Sequence, residues 1–215
     1  MKTIKINKKI LSKNEEKATE IRAYLNEKKV RMLNLVGSPG AGKTTILEKI
    51  IEKFDNTRKI VVIEGDLYTT RDAERLKKYE IQVVQINTMG ACHLEAGMVW
   101  QALKEVNLEE IDFLIIENVG NLVCTASYDL GENIRATVLS VPEGNDKLLK
   151  YPVIFQRADL IIINKIDLLP YTDFSLEEIE KDLKQINKNA PVFKLSGKTG
   201  AGLDKLCFFL EENLT

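Results

Sequence analysis

The residues from Gly37 to Thr44 read Gly-Ser-Pro-Gly-Ala-Gly-Lys-Thr, a G-x-x-x-x-G-K-T spacing that matches a phosphate-binding loop. Glycines let successive backbone N–H groups turn inward where a side chain would collide with a phosphate. A helix behind the loop adds unpaired N–H groups and the positive end of its dipole. Lys43 offers a point charge to the β- and γ-phosphates, and the Thr44 hydroxyl is a hard oxygen ligand for Mg²⁺. The expected nucleotide contacts here are Gly37, Ser38, Gly40, Ala41, Gly42, Lys43, Thr44 and Thr45. The alternative, an ordinary glycine-rich turn, does not account for lysine and threonine both standing in register.

Further along, Asn164-Lys165-Ile166-Asp167 has the N-K-x-D pattern. A carboxylate at Asp167 can accept hydrogen bonds from N1–H and the 2-amino group of guanine, and adenine has neither donor there. Ser196-Gly197-Lys198 resembles the S-A-K loop whose main chain meets guanine O6, with Gly in place of Ala. Glu117-Asn118-Val119-Gly120 stands where guanine-nucleotide proteins carry D-x-x-G. Glu117 takes the acidic place that holds Mg²⁺ through water, and the Gly120 N–H takes the place that senses γ-phosphate. Asp66 is placed to hold Mg²⁺ or orient the attacking water. Asp72 could serve Mg²⁺ or could equally be a first-turn helix acid favoured by the dipole. Lys43 and Asp66 are the expected catalytic pair of a GTPase working by positioning and charge stabilisation. Turnover is expected to be slow, since no arginine finger in cis is evident.

A second constellation is metal-binding in character. His93, the one histidine, adjoins Cys92, and Cys124 lies four residues beyond Gly120. Buried cysteines are usually small apolar residues, but both of these follow expected strands on the ligand edge of a sheet. Thiolate and imidazole suit Zn²⁺ and, in planar geometry, Ni²⁺. Three ligands do not close a site, whereas two copies across a two-fold axis would supply six, which favours a metal-bridged dimer. Because Gly120 and Cys124 are close in sequence, metal and GTP binding are expected to be linked reciprocally. Cys207 falls among Leu203, Leu206, Leu210 and Leu214 at helical core spacing and reads as packing.

These residues need strand ends to hold them. Apolar runs at Met32–Val36, Ile60–Ile63, Ile81–Ile86, Phe113–Ile116, Thr137–Val141, Leu160–Ile163 and Pro191–Leu195 alternate with helical stretches at 45–54, 70–78, 94–105, 175–187 and 203–213. Near-continuous apolar strands between helices predict an α/β three-layer sandwich with a mostly parallel sheet. Ligands sit beyond the carboxyl ends of such strands. Residues 8–28 predict a helix with Leu11, Ala18, Ile21 and Leu25 on one side, to pack on its own domain or to serve self-association. The organisation expected is a helical segment over 1–29 and a P-loop domain over 30–215.

The 215 residues suit one large domain, with 31 basic against 32 acidic residues. That balance gives no reason to expect nucleic acid or a membrane surface as partner. No apolar run approaches the ~20 residues of a membrane span, and the basic N-terminus lacks the apolar core of a signal peptide. Three cysteines argue against a disulfide framework, and a cytoplasmic location is expected.

Over roughly residues 30–215 the chain resembles the HypB GTPases, which assist nickel insertion into [NiFe]-hydrogenase. The resemblance rests on the phosphate loop, on Gly65-Asp66 with Asp72-Ala73-Glu74-Arg75, and on Gln85–Thr88 through Cys92–Ala96. It continues through Glu117-Asn118-Val119-Gly120-Asn121-Leu122-Val123-Cys124, Tyr128–Glu132, Glu143–Lys147, Lys150-Tyr151-Pro152 and Asn164–Leu169. It implies a nickel-delivery GTPase of the P-loop class that dimerises around GTP, with Ni²⁺ or Zn²⁺ held at the dimer interface by Cys92, His93 and Cys124. The partners implied are a second nickel-handling accessory protein and the hydrogenase large-subunit precursor. Residues 1–30 contain no Cys or His, so no nickel store is expected there. Thr125 and Leu148 stand where the family pattern has proline. The competing readings are a urease or cobalamin-enzyme GTPase chaperone, a metal store or sensor with structural nucleotide, and a P-loop kinase using ATP; the N-K-x-D run argues against the last.

Overall fold

The structure, a computed structural model, describes residues 6–55, 57–66 and 71–214, with the side chains of 6–10, 66 and 71–73 outside the description. The elements run α1 (Ile6–Glu27), β1 (Arg31–Gly37), α2 (Lys43–Phe54), β2 (Ile60–Asp66), α3 (Arg71–Leu76), β3 (Gln82–Asn87), α4 (Ala96–Lys104) and β4 (Phe113–Glu117). They continue β5 (Ile134–Ser140), α5 (Asp146–Lys150), α6 (Pro152–Gln156), β6 (Leu160–Asn164), α7 (Leu176–Ile186), β7 (Val192–Lys194) and α8 (Leu203–Leu214).

The seven strands form one sheet in the order β3-β2-β4-β1-β5-β6-β7. Every pairing is parallel, so the expected mostly parallel sheet is wholly parallel. Successive side chains on a strand point to opposite faces. Thus Leu33, Leu35, Val62 and Ile115 pack under α2 and α8 with Ile46, Leu47, Leu206 and Leu210. Met32, Val61, Ile63, Leu114 and Ile116 pack on the other face against Ile21, Leu25 and Val99. Farther along that sheet, Leu139, Ile161 and Ile163 meet Phe155, Ile179 and Leu183. Burial on both faces is why the strands read as unbroken apolar runs. Each fully buried Leu or Ile contributes about 1.5–3 kcal/mol.

β5 starts at Ile134 and ends at Ser140, offset from the expected Thr137–Val141. Arg135 interrupts the apolar run in sequence, yet it is buried and fully engaged, donating to Glu132, to Ala126 O at 3.3 Å and to Tyr128 O at 2.8 Å. The strand therefore passes through it. Val141 opens a 3-10 turn over Val141–Glu143 with Pro142 near its head; Pro142 has no N–H for a ladder. The short helices α5 and α6, and a 3-10 turn over Ile166–Tyr171, were absent from the sequence reading.

Helix α1 lies on α4, as the packing alternative has it. Ala18, Ile21 and Leu25 are buried, and Tyr24 meets Trp100 edge-on with ring centroids 5.4 Å apart. Asn14 Nδ2 donates to Asp129 O at 2.7 Å, and Asn14 Oδ1 accepts from Ala96 N at 2.8 Å. Arg22 forks onto both Asp129 carboxylate oxygens at 2.9 and 3.0 Å. Among the described residues no helix is long and apolar enough to cross a membrane.

Candidate nucleotide and metal site

The loop after β1 leaves the middle of the sheet, between β4 and β5. Gly42 has φ 93°, and a Cβ there would lie 2.4 Å from Asn164 Nδ2. Only glycine fits both the conformation and the space. Helix α2 begins at Lys43, so its first N–H groups face the loop's hollow. Lys43 is buried, with Nζ donating to Gly37 O at 3.5 Å and Ser38 O at 3.2 Å. A hollow of about 450 Å³ lies here, lined by Gly40, Gly42, Lys43, Thr44, Thr45, Glu64, Arg75, Glu117, Gly120 and Lys165, among others. A larger one, about 830 Å³, opens at the amino ends of β2, β3 and β4 beside Lys59, Tyr79 and Asp112. It contains none of the motif residues, and the smaller hollow is the one with phosphate-binding chemistry.

Asn164 binds the loops together. Its Nδ2 donates to Ala41 O at 2.8 Å, and its Oδ1 accepts from Lys165 N at 2.7 Å and Gly197 N at 3.0 Å. Lys165, at φ 62°, sends Nζ back to Gly40 O at 2.6 Å. Ser196 Oγ donates to Asp167 Oδ1 at 2.6 Å and accepts from Thr199 N at 3.1 Å. The Ser196 hydroxyl thereby orients the Asp167 carboxylate through one of its oxygens. Lys198 is exposed at the rim.

On the other flank, Thr44 Oγ1 donates to Glu117 Oε1 at 2.8 Å, and both residues are buried. Hydroxyl and carboxylate oxygens side by side at the helix start are the donor set of a hard divalent cation, so the residues fit Mg²⁺. Gly120 abuts the phosphate loop: a Cβ there would stand 2.8 Å from Pro39. Asp66 ends β2 and Asp72 lies in α3, but their side chains fall outside the described residues. Two charged residues given no role from sequence line the same hollow. One is Glu64. The other is Arg75, whose guanidinium reaches Thr45 Oγ1 at 3.2 Å and pairs with the Glu48 carboxylate.

Cys92, His93 and Cys124 come together with ligand atoms all within 4.8 Å of one another. The two sulfurs are 2.8 Å apart and both thiols are free. Cys92 Sγ is 3.7 Å from His93 Nδ1. The loop after β3 supplies the first two residues and the loop after β4 the third. Tyr128 stacks on the imidazole, ring centroids 3.9 Å apart at 28°, which fixes the ring plane. His93 Nε2 is buried without a hydrogen bond; the Glu95 carboxylate is 3.6 Å away. The Cys92 sulfur and then burial push the Cys124 thiol above the ordinary cysteine value. Two crowded sulfurs and an orphaned imidazole nitrogen are the chemistry of a soft-to-borderline cation site. Asn121 holds Cys124 in place: its Oδ1 accepts from Val123 N at 2.7 Å and Cys124 N at 2.8 Å, while its own N–H donates to Gly37 O at 3.0 Å.

Residues 31–194 match the model of the CobW/HypB/UreG nucleotide-binding domain. A hydrogenase/urease maturation factor HypB from Helicobacter hepaticus is 46% identical over 98% of this chain and 88% of its own length. The crystal structure of HypB from Helicobacter pylori in complex with nickel superposes with a TM-score of 0.89 at 44% identity, covering 94% of this chain and 95% of that one. HypB from Archaeoglobus fulgidus gives a TM-score of 0.89 at 38% identity over 95% of this chain and all of that one. With the phosphate loop, the N-K-x-D run and the cysteine-histidine cluster on one edge of a parallel sheet, this chain belongs to the HypB family.

Proposed function

We propose that this chain is a GTP-hydrolysing metallochaperone that binds nickel, or zinc in its place, and delivers nickel to a maturing metalloenzyme. The observation that carries the reading is one segment, Glu117 to Cys124. It touches the phosphate loop at Gly120 and supplies a cluster sulfur at Cys124. A segment that answers to γ-phosphate at one end therefore carries a cargo ligand at the other.

In the nucleotide step, Gly37 to Thr45 cradle the phosphates, Lys43 neutralises the β- and γ-phosphates, and Asp167 with the Ser196–Lys198 loop reads guanine. Mg²⁺ bound by Thr44 and, through water, by Glu117 and Asp66 would neutralise charge developing on the transferred phosphoryl group. Asp66 orients the attacking water, and Asp72 supports the same acidic flank. In the cargo step, Cys92, His93 and Cys124 bind the metal and a second copy completes its coordination, so the GTP-bound form is a dimer. Gly120 binding to γ-phosphate shifts Cys124, and hydrolysis reverses the shift and releases the cargo. The acceptor chain includes a second nickel-handling protein and the hydrogenase large-subunit precursor. Urease is the alternative destination, favoured by the double name of the Helicobacter hepaticus relative. The setting is cytoplasmic.

The test is a competition titration of Ni²⁺ and Zn²⁺ with GDP or a non-hydrolysable GTP analogue, with solution mass and steady-state GTP turnover recorded alongside. Affinity and dimer fraction that both change with nucleotide, together with slow GTP turnover, support delivery. A metal affinity and mass indifferent to nucleotide would make the cluster a static site and overturn the reading.

A further inference from the structure

The Cys92–His93 half of the cluster belongs to a different loop from Gly120, so some connection must carry information between them. A buried line of hydrogen bonds provides it. Asn118, beside Glu117 and two residues before Gly120, accepts at Oδ1 from Val119 N at 2.9 Å and from Leu94 N at 3.4 Å. Leu94 directly follows His93. Asn118 Nδ2 donates to Asn34 Oδ1 at 3.3 Å, and Asn34 Nδ2 donates to Glu132 Oε1 at 3.1 Å. Glu132 also accepts from Leu130 N at 2.7 Å and Arg135 Nε at 2.7 Å. Arg135 reaches Ala126 O and Tyr128 O, and Tyr128 covers the His93 ring.

The line has a direction. A carboxylate engaged with arginine only accepts, so Glu132 fixes the Asn34 amide with nitrogen toward itself and oxygen toward Asn118. That oxygen in turn fixes Asn118 with nitrogen toward Asn34 and oxygen toward Leu94 and Val119. Asn34 and Asn118 are buried at 0% and 2% exposure, so an amide flip would leave like groups facing each other, which costs desolvation without a bond. The longest link, at 3.4 Å to Leu94 N, and one of the two at 3.3 Å are made by Asn118. One oxygen shared between the nucleotide-side N–H of Val119 and the metal-side N–H of Leu94 is the place where rearrangement costs least.

We propose that Asn118 is a positioning residue that couples the nucleotide loop to the Cys92–His93 half of the metal cluster, its amide oriented by Asn34 and Glu132. This inference rests on the nucleotide-linked metal binding proposed above. Movement of Val119–Gly120 changes the share of the Asn118 oxygen given to Leu94 and so resets the loop carrying Cys92 and His93.

The test uses the full chain. Zn²⁺ affinity is measured by competition titration at saturating GDP and at saturating GTP analogue, for wild type, Asn118→Ser and Asn34→Leu. Saturation removes changes in nucleotide affinity from the reading. The quantity read is the ratio of the two metal affinities, which overall destabilisation does not move. Asn34→Leu touches neither nucleotide nor metal residues and serves if Asn118→Ser fails to fold. The wild-type ratio is expected in the roughly 5–150-fold range of linked sites. Both variants are expected to shrink it at least about twofold, toward the part carried by Cys124 alone, while metal still binds in each state. A variant ratio equal to that of wild type overturns the role of Asn118 and leaves the proposed function standing. A wild-type ratio of one overturns the coupling itself.

Discussion

The Thr44 hydroxyl donates to the Glu117 carboxylate across 2.8 Å, joining the first turn of α2 to the end of β4. These two elements come from neighbouring strands, and both residues are buried. On the proposed function, Thr44→Ala removes an oxygen ligand for Mg²⁺ and leaves the Asn164–Asp167 and Ser196–Lys198 loops untouched. GTP turnover should fall about 10²–10³-fold, the scale of losing one charge-stabilising group. Binding of GDP measured with a chelator present should change little. Equal losses in both assays would show that Thr44 acts on the loop's shape and not on the cation.

Base selection should sit in one carboxylate. Ser196 Oγ holds Asp167 from one side at 2.6 Å, and on the proposed function its carboxylate accepts from the guanine edge. Asp167→Asn replaces an acceptor with a donor that faces the donors of guanine. GTP affinity should drop by a factor on the order of 10²–10⁴, as expected when buried polar groups are left mismatched. Xanthine nucleotide, which presents a carbonyl where guanine has its 2-amino group, should bind better than GTP. A nucleotide exchange assay with both bases decides it. An unchanged preference for GTP would move base recognition elsewhere.

The three thiols should separate by reactivity. Cys92 and Cys124 are partly exposed, whereas Cys207 is buried in α8 and burial pushes its thiol up to about 11. At pH 8 only about one Cys207 in a thousand would then be thiolate, before access is considered. A chromogenic disulfide reagent should titrate two thiols in the folded protein and the third only on unfolding. Adding Zn²⁺ or Ni²⁺ beforehand should suppress those two. Undiminished labelling with metal present would count against the cysteines as ligands.

Helix α1 should loosen in acid through Asp129. Burial pushes this carboxyl up, but the Gly131 N–H and the Arg22 guanidinium outweigh it and hold it below the usual aspartate value. A group with a depressed folded-state pKa stabilises at pH above its unfolded value and loses that contribution as pH falls. The Arg22–Asp129 pair is more than a third exposed on both sides, so its share is about 1 kcal/mol or less. Asp129→Asn should melt roughly 2–4 °C below wild type near neutral pH. The gap should close as pH drops through the carboxylate range. A gap that persists in acid would assign the loss to packing.

The parts of the site that could be read from sequence are those written in contiguous residues. Gly37–Thr44 and Asn164–Asp167 each carry their geometry in local spacing, and the strand before each was visible as an apolar run. The meeting of Cys92 with Cys124 could be anticipated because ligands gather at strand ends, although the side-by-side sulfurs could not. The Asn118–Asn34–Glu132 line was illegible for a plain reason. It depends on register, with Asn34 opposite Ile116 on one side and Arg135 on the other, and an asparagine inside a strand has no distinguishing pattern. Tyr128 over His93 and Arg75 beside Thr45 are likewise contacts between loops and helices far apart in the chain. The five-residue helices α5 and α6 are too short for a 3.6-residue period to emerge.

The strand order also arranges the work in space. The N-K-x-D and Ser196–Lys198 loops follow β6 and β7, the phosphate loop and Glu117–Gly120 follow β1 and β4, and Cys92 and His93 follow β3 at the far edge. With adjacent strands about 4.8 Å apart, the proposed function puts fuel selection and cargo handling on opposite flanks of one rim, meeting at its middle. On that reading, loops at 88–95 and 121–128 with other ligands would change the cargo, but Leu94 and Asn121 within them hold Asn118 and Gly37, so a new cargo would have to keep those two contacts.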